Sequence, residues 1–487
     1  MSTQTQSFRK PQVPWLVKVI YGSGEWGVGT FNTLRLIFYA IFLTDVVGLE
    51  PRLASFAAFI GIIWDAINDP VVGVLSDKVK SRWGRRRPFL LFFAAPYGLA
   101  FMMLWWAPSW EHQGLLMLYV MIAYALSDTF QTLVIVPFHA LTPEMTTNYD
   151  ERTSLASYRM FFNLLASILT AVAAPMVIDA TMAGGGTQQQ GYLLAATLLG
   201  LSSIFPYLLI FATVRERTRV ETVEIASLRE TMRIAWRNIP FRYATMIYML
   251  NWVTFDLIGA VLPYFLVYWI GGGDLMVAAP GLGIPLESGV LGVMLITATC
   301  ALPFWTWLAH RLSKRIAYMI AIGSWAVLLL LMTFVPPQNY TLTLIFAALI
   351  GVSVSAGHVL PDAIFPDVID WDELRTGERH EGVYYGAKNF IRKLTTAFAI
   401  FLTLQALGWL GYQAPPEGAL IFSQPPAAIL GIRALIGPIG AGLLIVTMVV
   451  TWFYPITRRR YHRIQRLLAK RQAREPEMRP VSPAPRA

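Results

Sequence analysis

The stretch IIWDAINDPVVGVLSDKVKSRWGRRRPF, residues 62–89, puts two acids into an apolar run and follows them with a densely basic loop. A helix needs about 20 apolar residues to cross a bilayer, and the run at 54–76 is long enough. Loops rich in Lys and Arg stay on the cytoplasmic side of a membrane. The stretch therefore predicts a membrane-spanning helix with charges inside the bilayer, followed by a cytoplasmic loop.

The 487-residue chain has the composition of a polytopic membrane protein. Hydrophobic residues make up 55% of it and charged residues only 14%, whereas about 25% of residues are charged in an ordinary soluble protein. So high an apolar content excludes a disordered chain. We attribute the net charge of +10 to cytoplasmic loops rather than to a nucleic-acid partner. The single cysteine, Cys300, excludes an internal disulfide and a cysteine-built metal site.

Twelve apolar runs are long enough to span a membrane, which predicts an all-α membrane protein with two groups of six helices. Related basic segments, LSDKVKSR (75–82) and RLSKR (311–315), occur at matching places in the two groups, as in a duplicated six-helix unit. The predicted helices are 17–47, 54–76, 88–107, 113–143, 155–181, 191–213, 241–270, 284–309, 315–336, 340–366, 381–412 and 428–455. The predicted domains are an N-terminal bundle 1–213, a cytoplasmic central loop 214–240, a C-terminal bundle 241–457 and a basic, Pro-rich cytoplasmic tail 458–487.

Basic residues fall on one side of the predicted membrane. Lys and Arg concentrate in the loop at 77–87, in the segment 214–240 and in the tail after Thr457, whereas 271–283 and 413–427 contain none. This asymmetry predicts that both termini are cytoplasmic and that the chain resides in the plasma (inner) membrane. The first apolar run is too long for a cleavable signal peptide.

Two acids in the second predicted helix, Asp65 and Asp69, are four residues apart and stack on one helical face. Carboxylates at membrane depth are costly unless they face a cavity or a partner. Asn68 lies on a neighbouring stripe, and Thr132 in the fourth helix offers a neutral oxygen. Oxygen-rich clusters suit hard cations such as Na⁺, and two close carboxylates can equally share a proton. We therefore predict a Na⁺ or H⁺ site here, with simple packing against a base as the alternative.

The eleventh helix supplies the basic counterpart. Lys388 and Arg392 share a face, and Lys393 points elsewhere and lies deeper. A lysine at this place can neutralise Asp65 or Asp69 across the bundle when the cation is absent. We expect Arg392 to snorkel to the cytoplasmic headgroups. Further polar residues predicted inside the membrane are Glu25, Arg35, Asp128, Gln131, His139, Arg159, Asp256, His358 and Asp362.

The loop between the second and third helices is predicted to form a cytoplasmic gate. Its glycines permit close helix contact. Its acid can cap a helix or pair across the two halves, and its arginines can bridge to helix ends. Together these contacts would hold one conformation closed. The preference of basic residues for cytoplasmic loops explains the positive charge of this loop, but it does not explain the positions of its glycines and its acid. The predicted gate residues are Gly73, Asp77, Arg82, Gly84, Arg85 and Arg86.

Several motifs resemble a known family. The pattern G-x-x-x-D-K-x-x-x-R-x-G-R-R-R at 73–87 resembles the helix 2–3 loop of the major facilitator superfamily. Five further stretches resemble the glycoside–pentoside–hexuronide:cation symporters, to which the melibiose permease belongs. They are YGSGEWG (21–27), IFLTDVVGL (41–49), WDAINDPVVG (64–73), PFHALTPEMTTNYDERTSLASYR (137–159) and FPDVIDWDELRTGERHEGVYYG (365–386).

The resemblance implies alternating access by two six-helix bundles and symport of a sugar with Na⁺ or H⁺. By position it makes Asp65 and Asp69 the cation-site acids, with Lys393 as the nearby lysine. The accompanying positions that it implies are Asn68 and Thr132 at the cation site, and Arg159, Lys388 and Asn389 for substrate binding and coupling.

The chain departs from the melibiose-type pattern in its substrate cavity. Gly29 and Ile135 stand where that pattern has aspartates, and Lys388 replaces a neutral polar residue. A cavity with fewer acids and an added base favours a substrate with a carboxylate, such as a uronate or glucuronide. A neutral disaccharide, as in proton-coupled sucrose-type carriers, and a lysolipid remain alternatives.

Motifs of a membrane-embedded enzyme are absent from the sequence: it has no Walker loop, no HExxH and no GxSxG. We therefore expect a transporter rather than an enzyme, with a non-transporting membrane enzyme or sensor as the alternative. The expected partners are a small sugar and the lipid bilayer. No cofactor besides the coupling ion is expected, and the chain is expected to act as a monomer.

Overall fold

The computed structural model describes residues 13–79, 81–146, 149–216, 228–281, 283–377, 381–416 and 419–478. Within them, twelve helices are long and apolar enough to cross a membrane, which confirms the predicted all-α fold and helix count. In chain order, α1 to α12 are Trp15–Val46, Pro51–Ser76, Arg87–Leu104, Gln113–Thr142, Ser154–Ala183, Gln188–Thr213, Ile239–Ile270, Leu286–Arg311, Lys314–Met332, Tyr340–Thr376, Val383–Trp409 and Pro426–Trp452.

Four of the long helices change their winding, and in α12 the change is a π-helical segment at Leu435–Ile439. The last turns of α1 and α7 are π-helical, at Phe42–Val46 and Phe265–Ile270. The regular helix of α10 ends at Val359, and a short 3₁₀ segment precedes its continuation from Phe365 to Thr376. Pro361 and Pro366 flank this break, where the missing N–H groups interrupt the helical ladder. The helix therefore extends ten residues beyond its predicted end at 366.

The first six and last six helices pack against each other through three helix pairs, α1 with α7, α2 with α11 and α5 with α8. Close approach is visible where Ser288 Oγ donates to the Val172 carbonyl oxygen at 2.8 Å. A Cβ on Gly259 of α7 would lie 3.4 Å from Leu36 of α1. Helices α1 and α7 are accordingly the most buried of the twelve. The connection between the two groups contains a further helix, Leu228–Arg237, while 217–227 lie outside the described residues.

The outer faces of the helices are apolar. Large hydrophobic side chains stand exposed on many of them, for example Phe161, Phe205, Val327, Leu430 and Val449. In water this surface would be very unfavourable, but lipid tails are as apolar as these side chains. The fold is therefore that of a multi-pass membrane protein.

The two halves are joined at the end of the molecule opposite the chain termini. The hydroxyls of Tyr268 and Tyr412 both donate to the Asp45 carboxylate, and Thr44 shares a 2.8 Å hydrogen bond with the Tyr264 hydroxyl. Burial, together with the neighbouring Asp45 charge, raises the pKa of Tyr412 well above its ordinary value, so its hydroxyl remains a donor. We call these five residues the latch.

At the end that carries the termini, two contacts lie within the second half. Lys314 lies 2.8 Å from Asp367, and Gln465 donates to Asp370 at 2.7 Å. Gln465 belongs to a helix, Arg458–Met478, which follows α12 and packs on the extension of α10. Thus most of the predicted basic tail is helical, and its last residues, 479–487, lie outside the described residues.

Candidate functional site

Three charged side chains from α2 and α11 meet between the two halves. Lys393 Nζ lies 2.8 Å from Asp65 Oδ1 and 2.6 Å from Asp69 Oδ2. The ammonium also donates to the Asp65 carbonyl oxygen at 3.1 Å. One turn of helix separates the two acids, so a single base from the facing helix reaches both. The predicted neutralisation of Asp65 and Asp69 by a lysine is thus present in the structure.

Neutral groups predicted for the cation site lie beside this ion pair. Thr132 Oγ1 of α4 donates to Asp69 Oδ1 at 3.2 Å. Asn68 is buried, and its amide nitrogen has no hydrogen-bond partner. The oxygens of Asp65, Asp69 and Thr132 are the hard donors that Na⁺ prefers. No set of three His, Cys, Asp or Glu side chains in the described part of the chain is placed to hold a metal, so a cation here would rely on two acids and neutral oxygens.

A second ion pair lies deep in the first half. Arg35 of α1 is 3.6 Å from Asp128 of α4, whose carboxylate is almost completely buried. Asn32 Oδ1 accepts hydrogen bonds from Arg35 at 3.3 Å and from Gln131 at 3.5 Å. One oxygen of Asp128 and one terminal nitrogen of Arg35 lack hydrogen-bond partners. Buried polar atoms of this kind are uncommon and leave capacity for water or a ligand.

Glu25 of α1 organises a third cluster. Its Oε1 accepts hydrogen bonds from Arg159 Nε at 2.7 Å and from Nη2 at 2.5 Å. His139 Nε2 lies 3.0 Å from the same oxygen, and Asn163 donates to Oε2 at 3.0 Å. The carboxylate is buried, whereas 40% of the His139 side chain is exposed. We call Glu25, His139, Arg159 and Asn163 the helix-1 cluster.

A similar cluster forms in the second half. Arg392 of α11 binds Asp256 of α7 with two hydrogen bonds, of 2.7 and 3.0 Å. Its guanidinium stacks 4.0 Å above the Trp252 ring, and the ring of His358 lies 5.4 Å from that of Trp252. We call Trp252, Asp256, His358 and Arg392 the helix-7 cluster. The expectation that Arg392 snorkels to the headgroups is therefore wrong, because the fully buried Asp256 carboxylate holds it inside the bundle.

Lys388 also has an internal partner. Its ammonium pairs with Asp362, at the break in α10, and lies 4.8 Å from the centre of the Tyr248 ring. Lys388 is buried, whereas the neighbouring Asn389 is exposed on α11. Lys388, the base that stands in place of a neutral polar residue, is therefore already paired with Asp362.

The contacts described for the predicted gate residues lie inside the first half. Arg85 and Arg86 contact Glu144 at the end of α4, at 2.5 and 3.4 Å, and Arg82 stacks on Trp83. The predicted bridging to helix ends is therefore present, but these bonds do not join the halves. Gly73 has only one loose neighbour, Val136, in the space a Cβ would fill. The side chain of Asp77 lies outside the described residues.

Glu216 holds the basic loop in a way that sequence reasoning missed. Its carboxylate accepts the backbone N–H groups of Arg85, Arg86 and Arg87, at 2.8, 2.8 and 3.2 Å. These N–H groups open α3, where an anion is favoured by the unpaired donors and the helix dipole. Gly84 precedes them with φ of 104°. The sequence signal for this contact was Glu216 itself, an acid among the basic residues that follow the sixth helix.

Twelve helices long and apolar enough to cross a membrane, in two six-helix groups with ion pairs inside and between them, define a membrane transporter of the major facilitator type. The sequence profile of the MFS/sugar transport protein family matches residues 20–458. The chain belongs to this family, which confirms the resemblance identified from its motifs.

Relatives along nearly the whole chain are named as symporters. An uncharacterized symporter of Synechocystis is 29% identical over 96% of this chain and 99% of its own. The sodium-dependent lysophosphatidylcholine symporter 1-A of Danio rerio is 26% identical over 98% and 93%. The Escherichia coli protein YagG, named for glycoside/cation symport, is 26% identical over 94% and 96%. All three relatives are named as symporters.

Solved structures of other transporters share the fold. A bacterial homologue of the human drug peptide transporters PepT1 and PepT2 superposes with a TM-score of 0.61 and 13% identity, covering 91% of this chain and 98% of its own. The nucleoside transporter NupG gives a TM-score of 0.60 with 12% identity over 90% and 98%. At this identity the likeness concerns the fold alone.

Proposed function

We propose that the protein couples the entry of Na⁺ or H⁺ to the transport of a small polar substrate by alternating access. The observation that carries the proposal is the Lys393 ammonium, which occupies the space between Asp65 and Asp69. A cation that binds these acids must displace the ammonium or take its place. Because Lys393 belongs to the second half and the acids to the first, cation binding changes the contact between halves.

The latch joins the halves at the end opposite the termini, and on this ground we assign the carrier to the state open towards the side of the termini. The basic loops support the predicted cytoplasmic location of both termini in an inner membrane. Opening of the latch and closure of the opposite end would then expose the site to the outside. Ligands favour the state in which they gain the most contacts, so cation and substrate each promote the other's binding.

Sugars and glycosides are the substrates we propose, as the family and the name of YagG suggest. A lysolipid is the second candidate, because a relative named as a sodium-dependent lysophosphatidylcholine symporter matches 98% of the chain. That name also supports Na⁺ as the coupling ion, while two carboxylates serve H⁺ equally well. We propose that one chain suffices for transport and that no cofactor beyond the ion is required.

Uptake into proteoliposomes tests the proposal. Labelled glycosides and lysophosphatidylcholine are offered under an inward Na⁺ gradient, an inward H⁺ gradient or no gradient. We expect accumulation only with one of the gradients, and loss of accumulation in Asp65→Asn and Asp69→Asn. Glu50→Gln is the matched control, since Glu50 is half-exposed and 3.9 Å from Arg52 outside the site. Gradient-driven accumulation that survives in both aspartate variants would contradict the mechanism.

A further inference from the structure

The helix Arg458–Met478, which we call the tail helix, begins where α8 and α12 end and α9 begins. Arg458 Nη1 donates to the carbonyl oxygen of Arg311, the last residue of α8, at 3.1 Å. The Arg315 guanidinium, in the first turn of α9, lies 5.2 Å from the centre of the Trp452 ring at the end of α12. A tryptophan at the end of a membrane-crossing helix is typical of the membrane–water interface. The tail helix therefore starts at the level of the membrane surface.

One face of the tail helix packs on the extension of α10. Ile464 and Leu468 are buried on this face, and Tyr461 packs against the core beside them. Gln465 donates to the Asp370 carboxylate at 2.7 Å. Tail positions that lie three or four residues apart share one side of a helix. The tail helix is thereby held on the protein by a single face, which we call the packed face.

Four basic residues form a stripe on the opposite side of the tail helix. They follow each other at intervals of four, three and four residues, which confines them to about 60° of the helix circumference, about 180° from the centre of the packed face. All four side chains are exposed, and none has an ion-pair partner in the part of the chain that the structure describes. We call this set the basic stripe: Arg459, Arg463, Arg466 and Lys470. It therefore presents four positive charges to the surroundings of the protein.

Apolar side chains are exposed next to the basic stripe. Leu467 lies between the stripe and the packed face and is 42% exposed, while Trp452 and Phe453, just before the tail helix, are 61% and 63% exposed. Apolar side chains that flank basic ones are typical of helices that lie in the interface of a membrane. An acidic protein would match the charge of the stripe, but it would not account for these apolar side chains at the membrane surface. The combination favours lipid as the partner.

We propose that the basic stripe binds anionic phospholipid headgroups of the leaflet on the side of the termini. A guanidinium binds a phosphate group through two parallel N–H groups, and an ammonium acts as a point charge. About four to eight basic residues close to a membrane-crossing helix are typical of segments that bind anionic lipid. Because the packed face lies on α10, the bound lipids hold the end of α10 at the membrane surface. This lipid site does not depend on which substrate or ion the protein transports.

Fluorescence quenching in the reconstituted full-length protein tests the lipid site. Cys300 is replaced by serine, and a fluorophore is attached at His462→Cys, an exposed position beside the stripe. The bilayer is phosphatidylcholine, and the quencher is a trace of phosphatidylglycerol or phosphatidylcholine that carries a nitroxide near the top of its acyl chain. We expect phosphatidylglycerol to quench at least about threefold more strongly. Salt at about 1 M should remove the difference by screening.

Three sets of variants make the test specific to the stripe. Replacement of all four stripe residues by glutamine should make the two quenchers equal. Replacement of the three stripe arginines by lysine keeps the charge and should keep the preference. The matched control removes exposed bases from the helix Leu228–Arg237 and the start of α7, and it should leave the quenching unchanged: Arg233→Gln, Arg237→Gln and Arg242→Gln.

The lipid site is overturned by equal quenching in the wild type, by a preference that survives in the glutamine variant, or by a preference that the matched control also loses. Equal quenching together with binding of polyglutamate to the stripe would assign the stripe to an acidic protein instead. Circular dichroism shows whether the glutamine variant is folded. If it is not, the salt dependence and the lysine variant decide, because a preference that resists salt, or that lysine abolishes, contradicts binding by charge.

Discussion

At the scale of single residues, Lys393 links the two halves through its contacts with Asp65 and Asp69. Its ammonium contacts two carboxylates on the facing helix and offsets the electrostatic repulsion between them. The three side chains are between about a quarter and two-fifths exposed, so water and ions have access to them. A site of this kind can exchange its internal base for an external cation.

Replacement of Lys393 by methionine should lower stability when no cation is present, because Asp65 and Asp69 lose their shared partner. We expect a loss of about 1–2 kcal/mol, less than for a fully buried pair, since solvent screens these groups. Addition of Na⁺ should restore most of the lost stability, because the cation replaces the ammonium between the two carboxylates. Thermal unfolding in NaCl and in choline chloride of equal strength measures both effects, and equal unfolding temperatures in the two salts would contradict the prediction.

The pair of Arg392 and Asp256 allows a sharper stability test. Arg392→Met leaves the fully buried Asp256 carboxylate without a base, which should cost about 3–5 kcal/mol. The double variant Asp256→Asn, Arg392→Met removes both charges and should recover more than half of that loss. Chemical denaturation of the single and double variants provides the measurement. If the double variant is as unstable as the sum of the single ones, the two residues do not act as a pair.

At the scale of elements, the start of α3 shows how a loop is fixed by charge. The Glu216 carboxylate caps three N–H groups of the basic loop, while Arg85 and Arg86 bind Glu144 at the end of α4. Helices α3, α4 and α6 are thereby tied together at one end. The loop is thus a brace inside the first half.

Substitution of Gly84 by alanine should loosen this brace. The residue has φ of 104°, and an added Cβ would lie 2.5 Å from Glu216 Oε1. We expect a loss of about 1–3 kcal/mol from strain and from displacement of the cap. Gly442→Ala in α12 is the matched control, because no atom lies within 4 Å of its added Cβ. Equal thermal unfolding of the two variants would show that the cap contributes nothing.

At the scale of the whole molecule, the latch decides which end of the carrier is closed. It joins α1 to α7 and to the residues after α11 through bonds to one buried carboxylate. Hydrogen bonds to a charged group contribute more than neutral ones, about 1.5–3 kcal/mol each. A few such bonds are enough to set the balance between two conformations.

The double variant Tyr268→Phe, Tyr412→Phe should therefore open the latched end more often. The change is detected by a membrane-impermeant maleimide on Ser288→Cys, at the buried contact between α8 and α5. The exposed Cys300 is first replaced by serine. We expect labelling from the side opposite the termini to accelerate about tenfold. An unchanged rate would mean that the tyrosine hydroxyls do not hold this end closed.

The sequence by itself determined the twelve helices, the family and the pairing partners of the cation site. Hydrophobic run length is a local property, and Asp65 and Asp69 share a face by helical periodicity alone. Charges inside a membrane need partners, so Asp65 and Asp69 of the second helix were predicted to meet a lysine of the eleventh.

Only the tertiary structure decided which acid each remaining base binds. Arg392 pairs with Asp256 over 136 residues of sequence, and Glu216 caps a loop 131 residues away. Which acid pairs with which base depends on the rotation and the distance of the helices in the packed bundle. Local sequence patterns do not determine either of them. The same packing closed one end of the molecule through Asp45, whose tyrosine partners lie more than 200 residues further along the chain.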